Sequence, residues 1–172
     1  RLGASLERGS EHPLAGAIAR AAEKRRLAMT SPGAVQALSG QGIHGTVEGR
    51  IVLIGTGAFL AGQQVVGEPS RRRLEDLREG GNTVIEVAID GRYAGLLAIS
   101  DPIRPSTPEA IKTLQAEGIR LVMLTGDSRT TAQAVARQIG ITEFVAEGLP
   151  TDKHATIQKL RAEGRSVAMA GD

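Results

Sequence analysis

The sequence predicts an antiparallel α+β module followed by a doubly wound parallel α/β sheet. In the second part, short apolar runs alternate with helical patterns, which is typical of a parallel sheet. In the first part, β-type runs are joined by tight-turn dipeptides, which favours antiparallel pairing. Ser100-Asp101-Pro102 separates the two patterns. We therefore expect one domain over residues 1–99 and a second over residues 100–172.

The composition limits the classes of function. Of the 172 residues, 41% are hydrophobic, which is enough to form a core. The formal net charge is only +2, and the Phe, Trp and Tyr side chains that commonly stack on bases number only one Tyr and two Phe, so no nucleic-acid partner is expected. The chain has no Cys, which excludes disulfide and thiol chemistry. No apolar run approaches 18 residues, so we expect no membrane span, and the first residues do not have the pattern of a signal peptide.

The elements of the first part follow from local patterns. Apolar residues that step by four predict a helix over residues 10–26. Glu-Gly at 48–49 and Asp-Gly at 90–91 are turn dipeptides, so the β-type runs around each should pair as a hairpin. The predicted strands are residues 35–39, 43–48, 50–54, 83–89 and 92–99, and further helices are predicted near residues 56–61 and 69–79.

The second part predicts helices and strands in alternation. The nearly unbroken apolar run over residues 119–124 is typical of a strand covered on both faces. Thr107 can cap a helix that has Pro108 at its first position, and Gly140 can end a helix that begins at Ser128 or Arg129. The predicted order is helix 108–117, strand 119–124, helix 128–139, strand 144–146, helix 152–164 and strand 166–170.

Polar residues follow these strands at the edge where open α/β sheets bind ligands. Thr125, Gly126 and Asp127 combine a hydroxyl, a flexible backbone and a carboxylate, which suits phosphate contact near a cation. Asp172 follows the last strand, where a carboxylate could hold Mg²⁺ against a phosphate. Lys153 lies at the start of a helix, where the helix dipole favours negative rather than positive charge. A lysine there is explained if a phosphate lies between its ammonium group and the helix start. Each feature alone is also typical of an ordinary turn or a solvated surface.

Together, Thr125, Lys153 and Asp172 resemble the second, third and fourth motifs of the haloacid-dehalogenase-like phosphotransferase fold. That family uses an aspartate nucleophile on the first strand of its sheet. No Asp-Lys-Thr-Gly-Thr segment or equivalent occurs in the 172 residues. The resemblance therefore implies that the nucleophile lies upstream of Arg1 and that these residues alone are not catalytic.

Residues 10–15, Ser-Glu-His-Pro-Leu-Ala, resemble the Ser-Glu-His-Pro motif of heavy-metal-translocating P-type ATPases. Ser10 can cap the helix, and Pro13 is tolerated in its first turn. This arrangement places Glu11 and His12 at an exposed helix start, where a carboxylate could accept from the adenine amino group and an imidazole could lie against the ring. A Glu-His pair at a helix start is also common on ordinary surfaces.

Residues 40–45, Gly-Gln-Gly-Ile-His-Gly, fit the dinucleotide template Gly-x-Gly-x-x-Gly, which opens a helix. Here a hairpin follows, so a dinucleotide-binding role is rejected. In the ATPase family the corresponding Gly-x-Gly loop lines the adenosine site, which implies that role for Gly40 and Gly42. The family has Gly-Asn after the next strand, and this chain departs from it with Gly55-Thr56.

The resemblance covers the whole chain, and the Asp-Pro-Ile-Arg segment at 101–104 and Leu-Pro at 149–150 add to it in family order. It implies an ATP-binding cytoplasmic fragment of a copper-transporting P-type ATPase, a membrane protein. Residues 1–99 would be the nucleotide-binding domain, and residues 100–172 part of the phosphorylation domain. The implied partners are ATP or ADP and the transmembrane and actuator domains of the parent transporter.

The resemblance also implies the role of each site residue. The adenosine of ATP would lie in the first domain, and the γ-phosphate would reach the second. Thr125 and Lys153 would stabilise the transferring phosphoryl group, Asp172 would share Mg²⁺, and Gly126 and Asp127 would position the phosphate-side loop. The implied adenosine contacts are Glu11, His12, Gly40, Gly42 and Gly55.

Other classes remain open at this point. One is a soluble phosphatase of the same superfamily with a cap domain, which residues 10–15 disfavour. A zinc or cadmium P-type ATPase is another, because metal selectivity belongs to membrane helices that these residues do not include. The last is a non-catalytic nucleotide-binding or interaction module, in which the arginine run at 71–73 could face an acidic partner.

Overall fold

A computed structural model of the chain describes every residue except Glu11, Ser39, Asp101, Leu149 and Asp172, and it describes Pro13, Pro150 and Thr151 by their backbone alone. The chain divides into two compact units, residues 1–101 and residues 102–172, which we call unit 1 and unit 2. No helix within the described residues is both long enough and apolar enough to cross a membrane.

Unit 1 is built on one antiparallel sheet whose five strands lie in chain order. The order follows from the turn dipeptides, because tight turns pair each strand with the next one along the chain. The strands are β1 (Gly33–Leu38), β2 (Gly42–Val47), β3 (Arg50–Gly55), β4 (Thr83–Ile89) and β5 (Arg92–Ile99). The helices are α1 (Leu2–Glu7), α2 (Pro13–Lys24), α3 (Gly57–Gly62) and α4 (Arg71–Glu79). The antiparallel module predicted from the sequence is confirmed.

Apolar side chains cover the unit 1 sheet in separate clusters. One cluster joins Leu6 of α1 to Ile54 and other strand residues, and both side chains are at most 1% exposed. Another joins Phe59 and Leu60 of α3 to Leu53 of β3. The apolar stripe of α2 forms a third cluster that packs against the ends of β4 and β5. The sheet and its helices therefore hold the starts of α2 and α3 in fixed positions.

Unit 2 alternates helix and strand, as the sequence predicts for an α/β fold. Its helices are α5 (Thr107–Ala116), α6 (Arg129–Ile139) and α7 (Pro150–Ala162), and its strands are β6 (Val122–Leu124) and β7 (Glu143–Val145). The two strands are parallel, with Val122 opposite Glu143. The helix between them, α6, begins at the Ser128 cap and ends at Gly140 in a left-handed conformation, as predicted.

The predicted strand over residues 166–170 is wrong, because this segment has no strand conformation. A strand forms only where a neighbouring backbone accepts and donates its hydrogen bonds, and residues 166–170 pair with neither β6 nor β7. Most of the segment is exposed to solvent, and Met169 retains 56% of its accessible surface. The apolar pattern is typical of a buried strand, but the described residues provide no strand beside it.

Candidate functional site

The start of α2 differs from the expected capping arrangement. The N-cap is His12 rather than Ser10, and the His12 Nδ1 atom accepts from the Leu14 backbone N–H at 3.2 Å. Ser10 Oγ instead accepts from the His12 backbone N–H at 3.1 Å. His12 is exposed, so its imidazole is fixed at the helix start with an accessible face.

A buried carboxylate lies beside this histidine. Glu7, the last residue of α1, is only 6% exposed, and its Oε2 atom has no hydrogen-bond partner among the described residues. The Ser10 hydroxyl donates to the Glu7 carboxylate, and the charge of His12 acts on it. Burial raises the pKa of Glu7, while Ser10 and His12 oppose that rise. A buried polar atom without a partner is costly, so Oε2 is a candidate to bind a ligand donor.

Sequence reasoning missed Glu7 and assigned the carboxylate role to Glu11, which lies outside the described residues. The reason is that α1 was not predicted. Its two apolar residues, Leu2 and Leu6, step by four, and this spacing was the signal available. Six residues are too few for periodicity to identify a helix securely.

The predicted glycine loop lies between β1 and β2, and only one of its glycines faces open space. Gly40 has a φ of +71°, which favours glycine, and no atom lies within 4 Å of the position that a Cβ would take. Gly42 and Gly55 are paired across β2 and β3. A Cβ on either of them would lie 2.6 Å from Cδ1 of Phe59. The chain's own aromatic ring therefore packs against Gly42 and Gly55, whereas Gly40 can approach a ligand.

In unit 2, the loop after β6 is held by its own side chains. Thr125 Oγ1 donates to Asp127 Oδ2 at 2.8 Å, and the Asp127 backbone N–H donates to Thr125 Oγ1 at 3.1 Å. The Thr125 backbone N–H donates to the Val145 carbonyl at 2.9 Å, which extends the parallel pairing by one residue. The hydroxyl and the carboxylate predicted for phosphate contact are therefore adjacent and mutually oriented.

The loop after β7 joins the loop after β6. The Glu147 backbone N–H donates to the Asp127 carbonyl at 2.8 Å, and that of Gly148 donates to the Thr125 carbonyl at 3.2 Å. A Cβ on Gly148 would lie 3.7 Å from the Cβ of Asp152, in the first turn of α7. Lys153 is the next residue and is half-buried. Thr125, Gly126 and Asp127 therefore lie near the helix start that carries Lys153.

The predicted magnesium ligand cannot be placed, because Asp172 lies outside the described residues. Among the residues that are described, no three His, Cys, Asp or Glu side chains come together as metal ligands. Mg²⁺ is commonly held in proteins by one or two carboxylates together with substrate phosphates. The carboxylate oxygens of Asp172 are of the hard type that Mg²⁺ prefers.

Comparison with known proteins identifies the class of protein. The sequence model of the haloacid dehalogenase-like hydrolase family matches residues 2–172. The chain belongs to that family.

The most similar curated proteins compared are metal-transporting ATPases. The silver exporting P-type ATPase of Salmonella typhimurium is 46% identical over 172 residues, which are 100% of this chain and 21% of that protein. The copper-transporting P-type ATPase of Rhizobium leguminosarum bv. viciae is 44% identical over 171 residues, 99% of this chain and 20% of that protein. The chain spans about a fifth of the length of these relatives.

Solved structures give the same resemblance. The catalytic CPx-ATPase domain CopB-B superimposes with a TM-score of 0.68 at 26% identity, covering 99% of this chain and 58% of that one. A zinc-transporting PIB-type ATPase in the E2.Pi state gives a TM-score of 0.60 at 34% identity, covering 94% of this chain and 26% of that one. The predicted resemblance to heavy-metal P-type ATPases is confirmed over almost the whole chain.

Proposed function

We propose that the chain is the ATP-binding part of a heavy-metal-transporting P-type ATPase, with adenosine bound by unit 1 and phosphate by unit 2. In the parent protein, ATP hydrolysis through an aspartyl phosphate would drive metal across a membrane. The 172 residues hold no Asp-Lys-Thr-Gly-Thr segment. The phosphoryl acceptor would therefore come from another part of the parent chain, and residues 1–172 alone would bind nucleotide without being phosphorylated.

The observation that carries the proposal is the arrangement of Glu7 and His12 at the start of α2. Glu7 is buried and has one unpartnered oxygen, and its charge interacts with that of His12. The His12 ring is fixed by its Nδ1 contact and remains exposed. We assign the Glu7 carboxylate to the adenine amino group and the His12 ring to stacking on the adenine plane. Glu11, the residue expected from the sequence, lies outside the described residues.

The glycine loop would complete the adenosine site. Gly40 is the glycine whose side faces open space, so its backbone would line the pocket. Gly42 and Gly55 would support that loop by allowing Phe59 to pack against the strand pair. Thr56, which stands where the family has Asn, caps α3 by accepting from the Phe59 backbone N–H at 3.1 Å. Its hydroxyl is therefore occupied within the chain.

Unit 2 would bind the phosphate end of the nucleotide. The Thr125 hydroxyl is oriented by Asp127, and the loops that follow β6 and β7 are hydrogen-bonded to each other. A hydroxyl donor and the Lys153 ammonium would stabilise the negative charge of a phosphoryl group. Gly126 would let the backbone approach the phosphate, and Asp172 would help to hold Mg²⁺, which supplies charge neutralisation when it is bound.

Copper is the transported metal that we propose, since copper or silver transport is named for the relatives that match at 44–46% identity. The zinc-transporting ATPase structure, at 34% identity, keeps zinc as the second candidate. The residues described here bind no transported metal in this proposal. Metal-dependent ATPase activity of the parent protein distinguishes the two metals.

The direct test is calorimetric titration of residues 1–172 with ATP, ADP and AMP, with and without Mg²⁺. All three nucleotides should bind, because they share adenosine. Glu7→Gln and His12→Ala should each weaken binding about tenfold, the effect of losing one well-placed hydrogen bond or stacking contact. Glu23→Gln and His154→Ala are matched controls, since both side chains are exposed, Glu23 near the other end of α2 and His154 in unit 2.

Equal binding by the wild-type protein and by both site variants would exclude the adenosine site assigned to unit 1. A folded protein that binds no nucleotide would favour the capped phosphatase, whose substrate contacts would involve unit 2 alone. Phosphorylation of this same chain on a carboxylate by radiolabelled ATP would contradict the assignment of the acceptor to another segment.

A further inference from the structure

A second buried carboxylate lies in unit 1, outside the groups used so far. Glu86 is in the middle of β4 and is only 7% exposed. No side chain among the described residues forms a hydrogen bond or an ion pair with it. Its neighbours along β4 include the buried Val87 and Ala88, and its cross-strand partner on β5 is Leu96. Burying a glutamate in such a position costs free energy unless a favourable interaction of its carboxylate offsets that cost.

The carboxylate of Glu86 lies against the first residue of α3. A Cβ added to Gly57 would be 2.6 Å from Oε1 and 3.3 Å from Cδ of Glu86. Gly57 has no left-handed backbone conformation that would itself require glycine. Glycine at position 57 therefore leaves room for the carboxylate, and a Cβ there would displace the flexible end of the Glu86 side chain.

The Gly57 contact is linked to the glycine loop through a short series of neighbours. Gly57 follows Thr56, whose backbone N–H donates to the Gln41 carbonyl at 2.9 Å. Gln41 lies between Gly40 and Gly42. A displacement of Gly57 would therefore be transmitted through Thr56 to Gln41. Gly55, which precedes Thr56, is also opposite Glu86 in the pairing of β3 with β4.

We propose that Glu86 is a positioning residue for the glycine loop, acting through Gly57, Thr56 and Gln41. It touches no nucleotide itself. It fixes the turn at residues 55–57, and this turn fixes the carbonyl of Gln41 between the two glycines. The effect on nucleotide affinity rests on the proposed function, whereas the effect on the Thr56–Gln41 hydrogen bond does not.

The charged groups around Glu86 determine how this contact depends on pH. Burial raises the pKa of Glu86, and the positive charge of Arg78 on α4 opposes that rise. Tyr93 on β5 interacts with Glu86 as well, and α3 has no ionisable side chain. Because the folded state holds the proton more tightly, the contribution of Glu86 to stability is complete below pH 4.5 and is lost as the pH rises through the raised pKa.

A double-mutant cycle between positions 57 and 86 tests the proposal. Gly57→Ala should displace the carboxylate and weaken ADP binding about tenfold, and Glu86→Ala should weaken it similarly. In the double variant the two losses should not add, because the Cβ no longer meets a carboxylate. Gly62→Ala is the matched control, since no atom lies within 4 Å of a Cβ at the other end of α3. It should leave ADP affinity unchanged.

Glu86→Gln separates positioning from a merely structural role. An amide of the same shape should preserve ADP affinity, whereas the free energy of unfolding should decline less with rising pH than in the wild-type protein. The difference between the two pH profiles isolates Glu86 from Glu7. Additive losses at positions 57 and 86, or equal effects of Gly57→Ala and Gly62→Ala, would overturn the proposal.

Hydrogen exchange of the Thr56 amide is the readout that does not depend on nucleotide. Gly57→Ala and Glu86→Ala should each accelerate that exchange, and Gly62→Ala should not. If the wild-type protein binds no ADP but the Thr56 amide responds in this way, the proposed function fails and the role of Glu86 stands. If ADP binds and the amide does not respond, the role of Glu86 fails alone.

Discussion

Unit 1 and unit 2 hold their candidate site residues by different means. Unit 1 has three clusters of buried apolar side chains around a five-stranded sheet. In the described part of unit 2, the buried apolar residues are only Ile111, Ala132 and Ala136. The unit 1 site is therefore fixed by packing, whereas the loops of the unit 2 site are fixed mainly by hydrogen bonds to one another. Five consecutive antiparallel strands pair with one another and present a broad face on which apolar side chains can pack. A parallel pair of three-residue strands offers much less of both.

The largest expected effect is on the unit 1 core. Ile54→Ala should lower the free energy of unfolding by about 2–5 kcal/mol, because the side chain is 1% exposed and lies in the main cluster. Ile111→Ala in unit 2 should cost about 2 kcal/mol or less, since few buried neighbours surround it. The single tyrosine, Tyr93, is in unit 1, so its fluorescence during urea unfolding reports that unit, while circular dichroism reports both.

Ile51→Ala is the control on the same strand, since Ile51 is 57% exposed and its loss should change stability by less than about 0.5 kcal/mol. Equal destabilisation by Ile51→Ala and Ile54→Ala would mean that the packing difference between the units is not the source of their stability.

An intermediate effect is expected at helix caps. Here the larger loss of stability is expected in unit 2, whereas for the core substitutions it is expected in unit 1. Ser128 Oγ accepts from the Thr131 backbone N–H at 3.2 Å in unit 2, whereas Ser70 Oγ is 3.5 Å from the Arg73 nitrogen in unit 1. Ser128→Ala should destabilise unit 2 by about 1 kcal/mol, and Ser70→Ala should cost less in unit 1. Amide hydrogen exchange in the first turns of α6 and α4 measures the two effects separately. A larger acceleration of exchange in α4 by Ser70→Ala than in α6 by Ser128→Ala would contradict the expected order.

The smallest effect is expected at the exposed ion pair between Arg120 and Glu143, 2.6 Å apart on unit 2. Arg120 holds the pKa of Glu143 below its usual value of 4.5. The pair therefore contributes above pH 4.5, and the contribution is lost as the pH falls through the lowered pKa. Arg120→Gln should lower the melting temperature slightly at neutral pH and not at all in acid or high salt. A difference that persists in acid would exclude the ion pair as its cause.

The pH dependence of stability also distinguishes the units, since the carboxyl groups of unit 1 and the Arg120–Glu143 pair of unit 2 act in opposite directions. The buried carboxyls of unit 1, Glu7 and Glu86, have raised pKa values, so their contribution to stability falls as the pH rises. Replacing each with Gln should flatten that part of the profile, with Tyr93 fluorescence as the reporter. The contribution of the Arg120–Glu143 pair instead falls as the pH is lowered.

Local sequence patterns predicted most elements because their causes are local. Asp-Gly at 90–91 predicted the hairpin of β4 and β5 with the bounds that the structure has, since a tight turn fixes which strands pair. Ser128 and Gly140 predicted both ends of α6 for the same reason. Residues 166–170 do not form a strand, because an apolar run indicates that a strand could be buried but not that a partner strand is present.

The candidate site divides in the same way. The sequence by itself determined the order of the elements, the glycine loop, the histidine at the start of α2 and the threonine and carboxylate after β6, because each depends on residues close together along the chain. Only the tertiary structure decided that Glu7 is buried beside His12, that Phe59 packs against Gly42 and Gly55, and that Glu86 lies against Gly57. Burial and contact between distant segments depend on how helices pack on a sheet, and the spacing of residues along the chain does not encode that packing directly.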